Sequence, residues 1–149
     1  MTQLFVFSSR REEEFERALR GKFPGTKYVQ IVSKHLVGIL LNVYIKHELL
    51  VQVKDVQIDT VGVGIMGVGG NKGGVGARFQ VFDSTFAVVC SHLAAHQHDV
   101  HGRNSDQINV ARRLTFYPGG RWLCVCVSVC VCVCVCVCVC VCACVLCRS

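Results

Sequence analysis

Cysteine is nearly absent from the first 121 residues, where Cys90 is the single example. The other 11 of the 12 cysteines lie between Cys124 and Cys147. So low a cysteine content over most of the chain is typical of a reduced, cytosolic protein. The start of the chain also lacks a long apolar segment behind a basic one, so we expect no signal peptide.

Clusters of charge of one sign are missing as well. Residues 1–121 hold all 10 acidic residues and 15 of the 16 lysines and arginines, which leaves them a net charge of +5. This mild excess suits an anionic ligand or a membrane surface but demands neither. Because the basic residues are spread along the chain rather than gathered together, we expect no nucleic-acid partner.

Apolar runs and turn residues predict several strands in succession. The predicted strands are residues 28–32, 36–45, 54–59, 74–82 and 85–91. The second is almost wholly apolar, which allows a strand buried on both faces or a short buried helix, and its branched residues favour the strand. The last two, joined by a short Asp83-Ser84 turn, predict a hairpin. Strands in succession with helices at the edges indicate a layered α/β or α+β domain.

The first of two predicted helices begins at a capping box. Ser9 is its expected N-cap, Glu12 reaches back to that cap, and Gly21 ends the helix. Residues 4–7, just before it, are interpreted as the end of a strand or as a loop.

The second predicted helix begins at a cap of Asn104 or Ser105 and continues to Phe116. Apolar residues at helical spacing would face the core, and a basic pair would lie on the exposed side. The apolar residues are Ile108, Ala111 and Leu114, and the basic pair is Arg112 and Arg113. The segment Pro118-Gly119-Gly120 is expected to stop this helix.

Glycines crowd the stretch from Gly62 to Gly74. Glycine lets backbone approach a ligand closely, and successive backbone N–H groups in such a turn can form an anion-binding nest. Asn71 adds a side-chain amide to this nest and Lys72 adds an ammonium, so the expected ligand is a phosphate. The alternative is that the glycines serve only a tight loop and that Lys72 is solvated.

Two nucleotide-binding motifs are present only in part. Gly62-x-Gly64-x-x-Gly67 has the spacing of the dinucleotide fingerprint, but more glycine and a strand follow it instead of a helix. A P-loop needs Gly-Lys-Ser/Thr, whereas Asn71 here precedes Lys72 and a glycine replaces the hydroxyl residue. We therefore expect neither kind of site.

Four histidines fall within ten positions, and the first of them ends a predicted strand. They are His92, His96, His98 and His101. A zinc site is one interpretation, but the His-Glu-x-x-His pattern is missing because Leu93 follows His92, and no cysteine pair lies near in sequence. The end of a strand is nevertheless a place where loops carry chemistry on a rigid scaffold.

The last quarter of the chain is a low-complexity segment that mostly repeats Val-Cys, without charge from Trp122 to Cys147. It is long and apolar enough for a transmembrane helix, yet its two-residue period favours a strand. A third hypothesis is translated repeat DNA, because alternating GTG and TGT codons spell Val-Cys. A metal-binding Cys-x-Cys tail is the functional alternative. We therefore divide the chain into residues 1–117 and a low-complexity tail, 118–149, which is excluded from fold reasoning.

Several short segments, taken in order, resemble the inositol polyphosphate 5-phosphatases, and within them the group of the Lowe-syndrome and type II proteins. The segments are residues 60–67 (TVGVGIMG), 70–75 (GNKGGV), 78–79 (RF), 91–96 (SHLAAH) and Arg103-Asn104-x-Asp106. The resemblance, from Phe5 to Phe116, implies an α/β fold that is part of a DNase I-like (endonuclease/exonuclease/phosphatase) four-layer sandwich. It also implies Mg²⁺-dependent hydrolysis of the 5-phosphate of phosphoinositide lipids, such as phosphatidylinositol 4,5-bisphosphate, or of soluble inositol polyphosphates.

The resemblance assigns roles to individual residues. Asn71 and Lys72 would bind substrate phosphate, the first as an orienting donor and the second as a point charge. His92 would be the catalytic histidine that lines the scissile phosphate, although a histidine that only shapes its loop is the other interpretation. His96 would be structural. The resemblance further implies a cytoplasmic protein, peripheral at endosomal or Golgi membranes, and leaves protein partners open.

The resemblance is incomplete at both ends. The family's metal-binding Glu lies before the first residue, and its Trp-x-Gly-Asp-x-Asn motif and later catalytic His lie beyond the point where the Val-Cys repeat begins. No residue of this chain is therefore assigned to the metal. Within the match, Val68-Gly69 replaces a basic-Met pair, and Cys90 stands where close relatives have Asn. We expect the chain as written to be catalytically inactive; the alternatives are a non-catalytic phosphoinositide-binding isoform and a protein anchored in a membrane by its tail.

Overall fold

The structure, a computed structural model, describes residues 2–67, 69–116, 127–130 and 139–147. These residues form two α-helices and seven strands, besides two short 3-10 helices. The helices are α1 (Thr2–Lys22) and α2 (Val100–Arg113), and the strands are β1 (Tyr28–Leu36), β2 (Ile39–Lys46), β3 (Val53–Gly62), β4 (Gly73–Val81), β5 (Ser84–His92), β6 (Val127–Cys130) and β7 (Val139–Cys147). Neither helix is long and apolar enough to cross a membrane, within the part of the chain described.

The strands form two antiparallel sheets. β1 and β2 pair as a hairpin, and the other five strands lie in the order β3-β4-β5-β7-β6. In the larger sheet Gly62 lies opposite Gly73, and Gly73 lies opposite His92. The end of β3, the beginning of β4 and the end of β5 therefore lie side by side at the same end of the sheet. The loop that joins β3 to β4 leaves the sheet at this point.

The larger sheet is covered by different elements on its two faces. On one face the β1–β2 hairpin forms a buried cluster with Val75, Ala77 and Cys90. On the other face the end of α2 forms a second cluster; its members are Val61, Val63, Val89, Val110 and Leu114. The neighbours Val89 and Cys90 fall in different clusters because successive side chains of a strand point to opposite faces. This layered, mixed arrangement agrees with the predicted α/β class.

Helix α2 lies close against β4 because β4 carries glycine where the helix crosses it. A Cβ on Gly74 would stand 2.5 Å from Cγ1 of Val110. A Cβ on Gly76 would stand 2.9 Å from Cζ of Phe116. Val110 is 4% exposed and Leu114 is fully buried. The absence of side chains at Gly74 and Gly76 therefore lets the helix pack closely on β4.

The predicted hairpin of residues 74–82 and 85–91 is confirmed as β4 and β5, and the strand predicted at 54–59 lies within β3. The single strand predicted over residues 36–45 is wrong in part. The chain turns at Val37-Gly38, where Gly38 has φ +78, and β2 begins at Ile39. Buried and half-buried residues alternate at the start of β2, so this strand is not buried on both faces.

Both predicted helix starts are wrong. Helix α1 begins at Thr2, so residues 4–7 are helical and Ser9 lies inside the helix rather than at its N-cap. Helix α2 is capped by Asp99, whose Oδ1 accepts a hydrogen bond from the Gly102 N–H at 2.8 Å. Ile108, predicted to face the core, is 48% exposed, whereas Val110 is buried.

The described parts of the Val-Cys tail are strands, as its two-residue period predicts. β7 pairs with β5 along its whole length, from Ser84 opposite Cys147 to His92 opposite Val139. The division predicted at residue 117 and the helix stop predicted at residues 118–120 lie outside the described residues. The hypothesis of translated repeat DNA stays a prediction.

Candidate anion-binding site

The loop between β3 and β4, whose described residues 63–67 and 69–72 we call the glycine loop, closes on itself through its own backbone. The Val63 N–H donates to the Lys72 carbonyl at 2.9 Å, and the Gly64 N–H donates to the Gly69 carbonyl at 2.8 Å. The Gly69 N–H in turn donates to the Ile65 carbonyl at 3.0 Å. These bonds stack the two arms of the loop against each other, as in a continued hairpin.

The Asn71 side chain is folded into the glycine loop by its oxygen. Its Oδ1 accepts a hydrogen bond from the Ile65 N–H at 3.3 Å. Glycine at position 64 makes the space for it, because a Cβ there would overlap Oδ1 of Asn71. With the oxygen used inside the loop, the NH₂ group of this exposed side chain is left as a donor for a ligand.

Lys72 and His92 meet where β4 and β5 lie side by side. The Lys72 Nζ is 2.7 Å from Nε2 of His92, and both side chains are half-buried. Burial, and after it the positive charge of Lys72, lowers the pKa of His92 below its ordinary value of 6.5. The ring is therefore neutral at pH 7, and its Nε2 accepts a hydrogen bond from the ammonium. Nδ1 carries the proton; it is buried and has no hydrogen-bond partner among the described residues.

The turn of the β1–β2 hairpin forms the apolar wall beside these groups. A Cβ on Gly38 would stand 3.2 Å from Nδ1 of His92. A Cβ on Gly70 would stand 3.5 Å from Cδ1 of Leu36. A Cβ on Gly73 would stand 3.0 Å from Cδ2 of Leu36. The hairpin turn therefore lies close to both the glycine loop and the His92 ring.

Sequence reasoning missed Arg113, which joins α2 to the glycine loop. Its Nη1 donates to the carbonyl of Gly62 at 2.9 Å and to that of Gly67 at 2.8 Å. The side chain is exposed, as predicted, but it is also bound. The partners lie 51 and 46 residues away in sequence, so no local pattern could have indicated the contact.

The motif Arg103-Asn104-x-Asp106 holds the loop that follows His92. Asp106 accepts the Ala94 N–H through Oδ2 at 2.8 Å. Arg103 donates to the backbone carbonyls of His96 and Gln97. These two side chains of α2 therefore fix the conformation of the loop after β5. The hydrogen bonds described for them do not involve Lys72.

A cluster of metal-ligating side chains is not found in the described part of the chain. Among its residues, no three His, Cys, Asp or Glu side chains come together as a metal ion requires. The histidine run from His92 to His101 thus forms no such group there. The Mg²⁺ that the resemblance implies has no such ligand set within these ranges.

A separate cleft of 410 Å³ lies between α1 and the β1–β2 hairpin. Its lining includes Arg20, Lys27 and Tyr44, and it shares no residue with the glycine loop or with His92. Arg20 is paired there with Glu16 at 2.9 Å. This cleft is a separate site against which binding at the glycine loop can be tested.

Comparison with known proteins identifies the family. Residues 2–134 match the family model described as Endonuclease/Exonuclease/phosphatase family 2. The type II inositol 1,4,5-trisphosphate 5-phosphatase of Mus musculus is 41% identical over 113 residues, which are 75% of this chain and 11% of the relative. Synaptojanin-1 of Homo sapiens is 44% identical over 97 residues, which are 65% of this chain and 6% of the relative.

A solved structure is similar to the chain over the same region. It is the inositol polyphosphate 5-phosphatase domain of SPsynaptojanin in complex with inositol (1,4)-bisphosphate and calcium ion, with a TM-score of 0.63 and 35% identity. The match covers 75% of this chain and 33% of the solved one. The chain therefore belongs to endonuclease/exonuclease/phosphatase family 2, within which it corresponds to part of an inositol polyphosphate 5-phosphatase catalytic domain.

Proposed function

We propose that Asn71 and Lys72, the latter held by His92, bind a phosphate group of an inositol polyphosphate or of a phosphoinositide lipid. In a whole catalytic domain this would be the substrate-phosphate site for Mg²⁺-dependent hydrolysis of the 5-phosphate. The observation that carries the proposal is the 2.7 Å contact between Lys72 Nζ and His92 Nε2 at the base of the closed glycine loop. The solved synaptojanin domain is in complex with inositol (1,4)-bisphosphate, which supports the choice of ligand.

The arrangement suits a phosphate because its donors are held in place before the ligand arrives. The ammonium of Lys72 has three N–H donors, of which His92 engages one and leaves two for phosphate oxygens. The NH₂ group of Asn71, the preceding residue, supplies another donor. Donors fixed in advance lose little conformational freedom on binding, which raises affinity.

His92 acts in this proposal by holding Lys72 while staying neutral. A neutral ring accepts from the ammonium, whereas a protonated ring would repel it. In phosphate-ester hydrolysis negative charge builds up in the transition state, and a fixed ammonium stabilises that charge. In a serine protease, loss of one fixed donor to the developing negative charge lowers kcat by roughly 10² to 10³-fold.

Binding of inositol (1,4)-bisphosphate by calorimetry tests the proposal. We expect Lys72→Ala to weaken binding by about tenfold or more, because a hydrogen bond to a charged group contributes about 1.5–3 kcal/mol. The matched control is Lys54→Ala, which removes the same charge from an exposed position at the other end of β3. Equal losses in the two variants would contradict a specific site, as would a wild-type chain that does not bind.

Phosphate release from phosphatidylinositol 4,5-bisphosphate vesicles with Mg²⁺ separates hydrolysis from binding alone. Release by the wild-type chain that is lost in His92→Gln would assign catalysis to this chain and contradict the expected inactivity. Binding without release would assign it the role of a phosphoinositide-binding protein. Vesicle co-sedimentation in the same samples tests the proposed peripheral position at a cytoplasmic membrane surface.

A further inference from the structure

Arg113 bridges two points of the glycine loop with one guanidinium nitrogen. Gly62, whose carbonyl lies 2.9 Å from Nη1, is the last residue of β3. Gly67, whose carbonyl lies 2.8 Å from the same atom, is in the far turn of the loop. The contact therefore joins the place where the loop leaves the sheet to its outermost turn.

The far turn has little other support from side chains. Ile65 is 72% exposed and Met66 is 94% exposed. Met66 also has a φ of 57, in the left-handed region that side chains disfavour. A turn of exposed residues with one unfavourable backbone angle needs an outside contact to keep a single conformation.

Arg113 is in turn anchored on a rigid part of the fold. Val110, one helical turn earlier, packs on Gly74, and Leu114, the next residue, is fully buried. The Thr115 N–H donates to Oδ2 of Asp59 on β3 at 2.7 Å. The end of α2 is thus fixed to both β3 and β4, so the guanidinium is a fixed point for the loop.

We infer that Arg113 is a positioning residue, which holds the glycine loop so that Asn71 and Lys72 face a phosphate. The inference rests on the proposed function. The path is short: Arg113 holds Gly67, Gly67 is two residues from Ile65, and the Ile65 N–H holds Oδ1 of Asn71. A lysine at position 113 would keep the positive charge, but its side chain is shorter and its ammonium lacks the fixed N–H directions with which Nη1 reaches both carbonyls.

The test compares R113K, R113Q and the control R112Q by binding of inositol (1,4)-bisphosphate and by amide hydrogen exchange. We expect both Arg113 variants to bind about tenfold or more weakly and to exchange faster at the Gly64 and Gly69 amides. Exchange at Val75 and Val89, in the sheet, should be unchanged. R112Q removes the same charge from the neighbouring residue, which makes no hydrogen bond to the described part of the loop, and should bind within about twofold of wild type. If R113Q does not fold, the binding and exchange of R113K are compared with those of wild type and R112Q.

Three results would overturn the inference. One is R113K binding like wild type while R113Q binds weakly, since charge alone would then explain the effect. Another is an equal loss of affinity in R112Q. The third is unchanged exchange at the loop amides in R113K. If the wild-type chain binds no inositol bisphosphate, the proposed function fails, and exchange alone then decides whether Arg113 holds the loop.

Discussion

The ammonium of Lys72 and the imidazole of His92 lie 2.7 Å apart although they are 20 residues apart in sequence. The β4–β5 hairpin produces this contact, because its register sets Gly73, next to Lys72, directly opposite His92. Each group affects the state of the other. The cation helps to keep the ring neutral, and the neutral ring holds the cation in place.

The first prediction is a loss of stability on acidification that depends on His92. Its pKa is lowered in the folded chain, so the unfolded chain takes up the proton first as the pH falls. Stability is therefore complete above about pH 6.5, the ordinary value, and decreases as the pH falls through it toward the lower folded pKa. Urea unfolding between pH 8 and pH 5 measures this change.

The variant His92→Gln should flatten that pH dependence, because an amide does not titrate in this range. His98→Gln is the matched control, because it replaces an exposed histidine of the loop after β5 by the same residue. An equal slope in wild type and His92→Gln would show that another group is responsible.

The second prediction concerns Gly64, whose missing side chain leaves room for Asn71. Gly64→Ala would push against Oδ1 of Asn71 and against the Gly69 carbonyl, at 2.8 Å. We expect a loss of about 1–3 kcal/mol in the free energy of unfolding, as for other overpacked sites, and weaker binding of inositol (1,4)-bisphosphate. Thermal unfolding and calorimetry measure the two effects.

Gly21→Ala is the control for that substitution. It lies in α1, and nothing in the described chain is within 4 Å of its added Cβ. Alanine is favoured over glycine inside a helix by about 0.5–1 kcal/mol, so this variant should be as stable as wild type or more stable. The account of Asn71 would be wrong if Gly64→Ala behaved like this control.

The third prediction is a compensating pair between β4 and α2. Gly74→Ala alone should destabilise the fold by about 1–3 kcal/mol, because its Cβ would stand 2.5 Å from Cγ1 of Val110. Val110→Ala removes that methyl group and leaves Cβ at 3.6 Å, an ordinary contact. The double variant should therefore be more stable than the sum of the single effects predicts, by about 1 kcal/mol or more. Strictly additive effects in urea unfolding would show that α2 is not seated on Gly74.

Local patterns predicted the hairpin and indicated Asn71, Lys72 and His92 as candidate site residues, but they did not predict the contacts that hold these residues. Alternation marks β4 and β5 within a few residues, and glycine density marks the loop. Residues 4–7 show where such patterns fail, because four apolar residues fit a strand as well as a helix. The cap at Asp99 was missed because Asn104 and Ser105 are equally good capping types. The links through Arg113 and Gly38 join distant parts of the sequence, so only the assembled fold reveals them.

The most direct test of the central claim follows the amide signals of the ¹⁵N-labelled chain as inositol (1,4)-bisphosphate is added. We predict that the largest shifts occur at Gly70, Asn71, Lys72 and His92, and that they disappear in Lys72→Ala. Signals of the cleft beside α1, such as that of Arg20, should stay in place. Shifts confined to that cleft, or no shifts at the glycine loop at saturating ligand, would contradict a phosphate site at Asn71, Lys72 and His92.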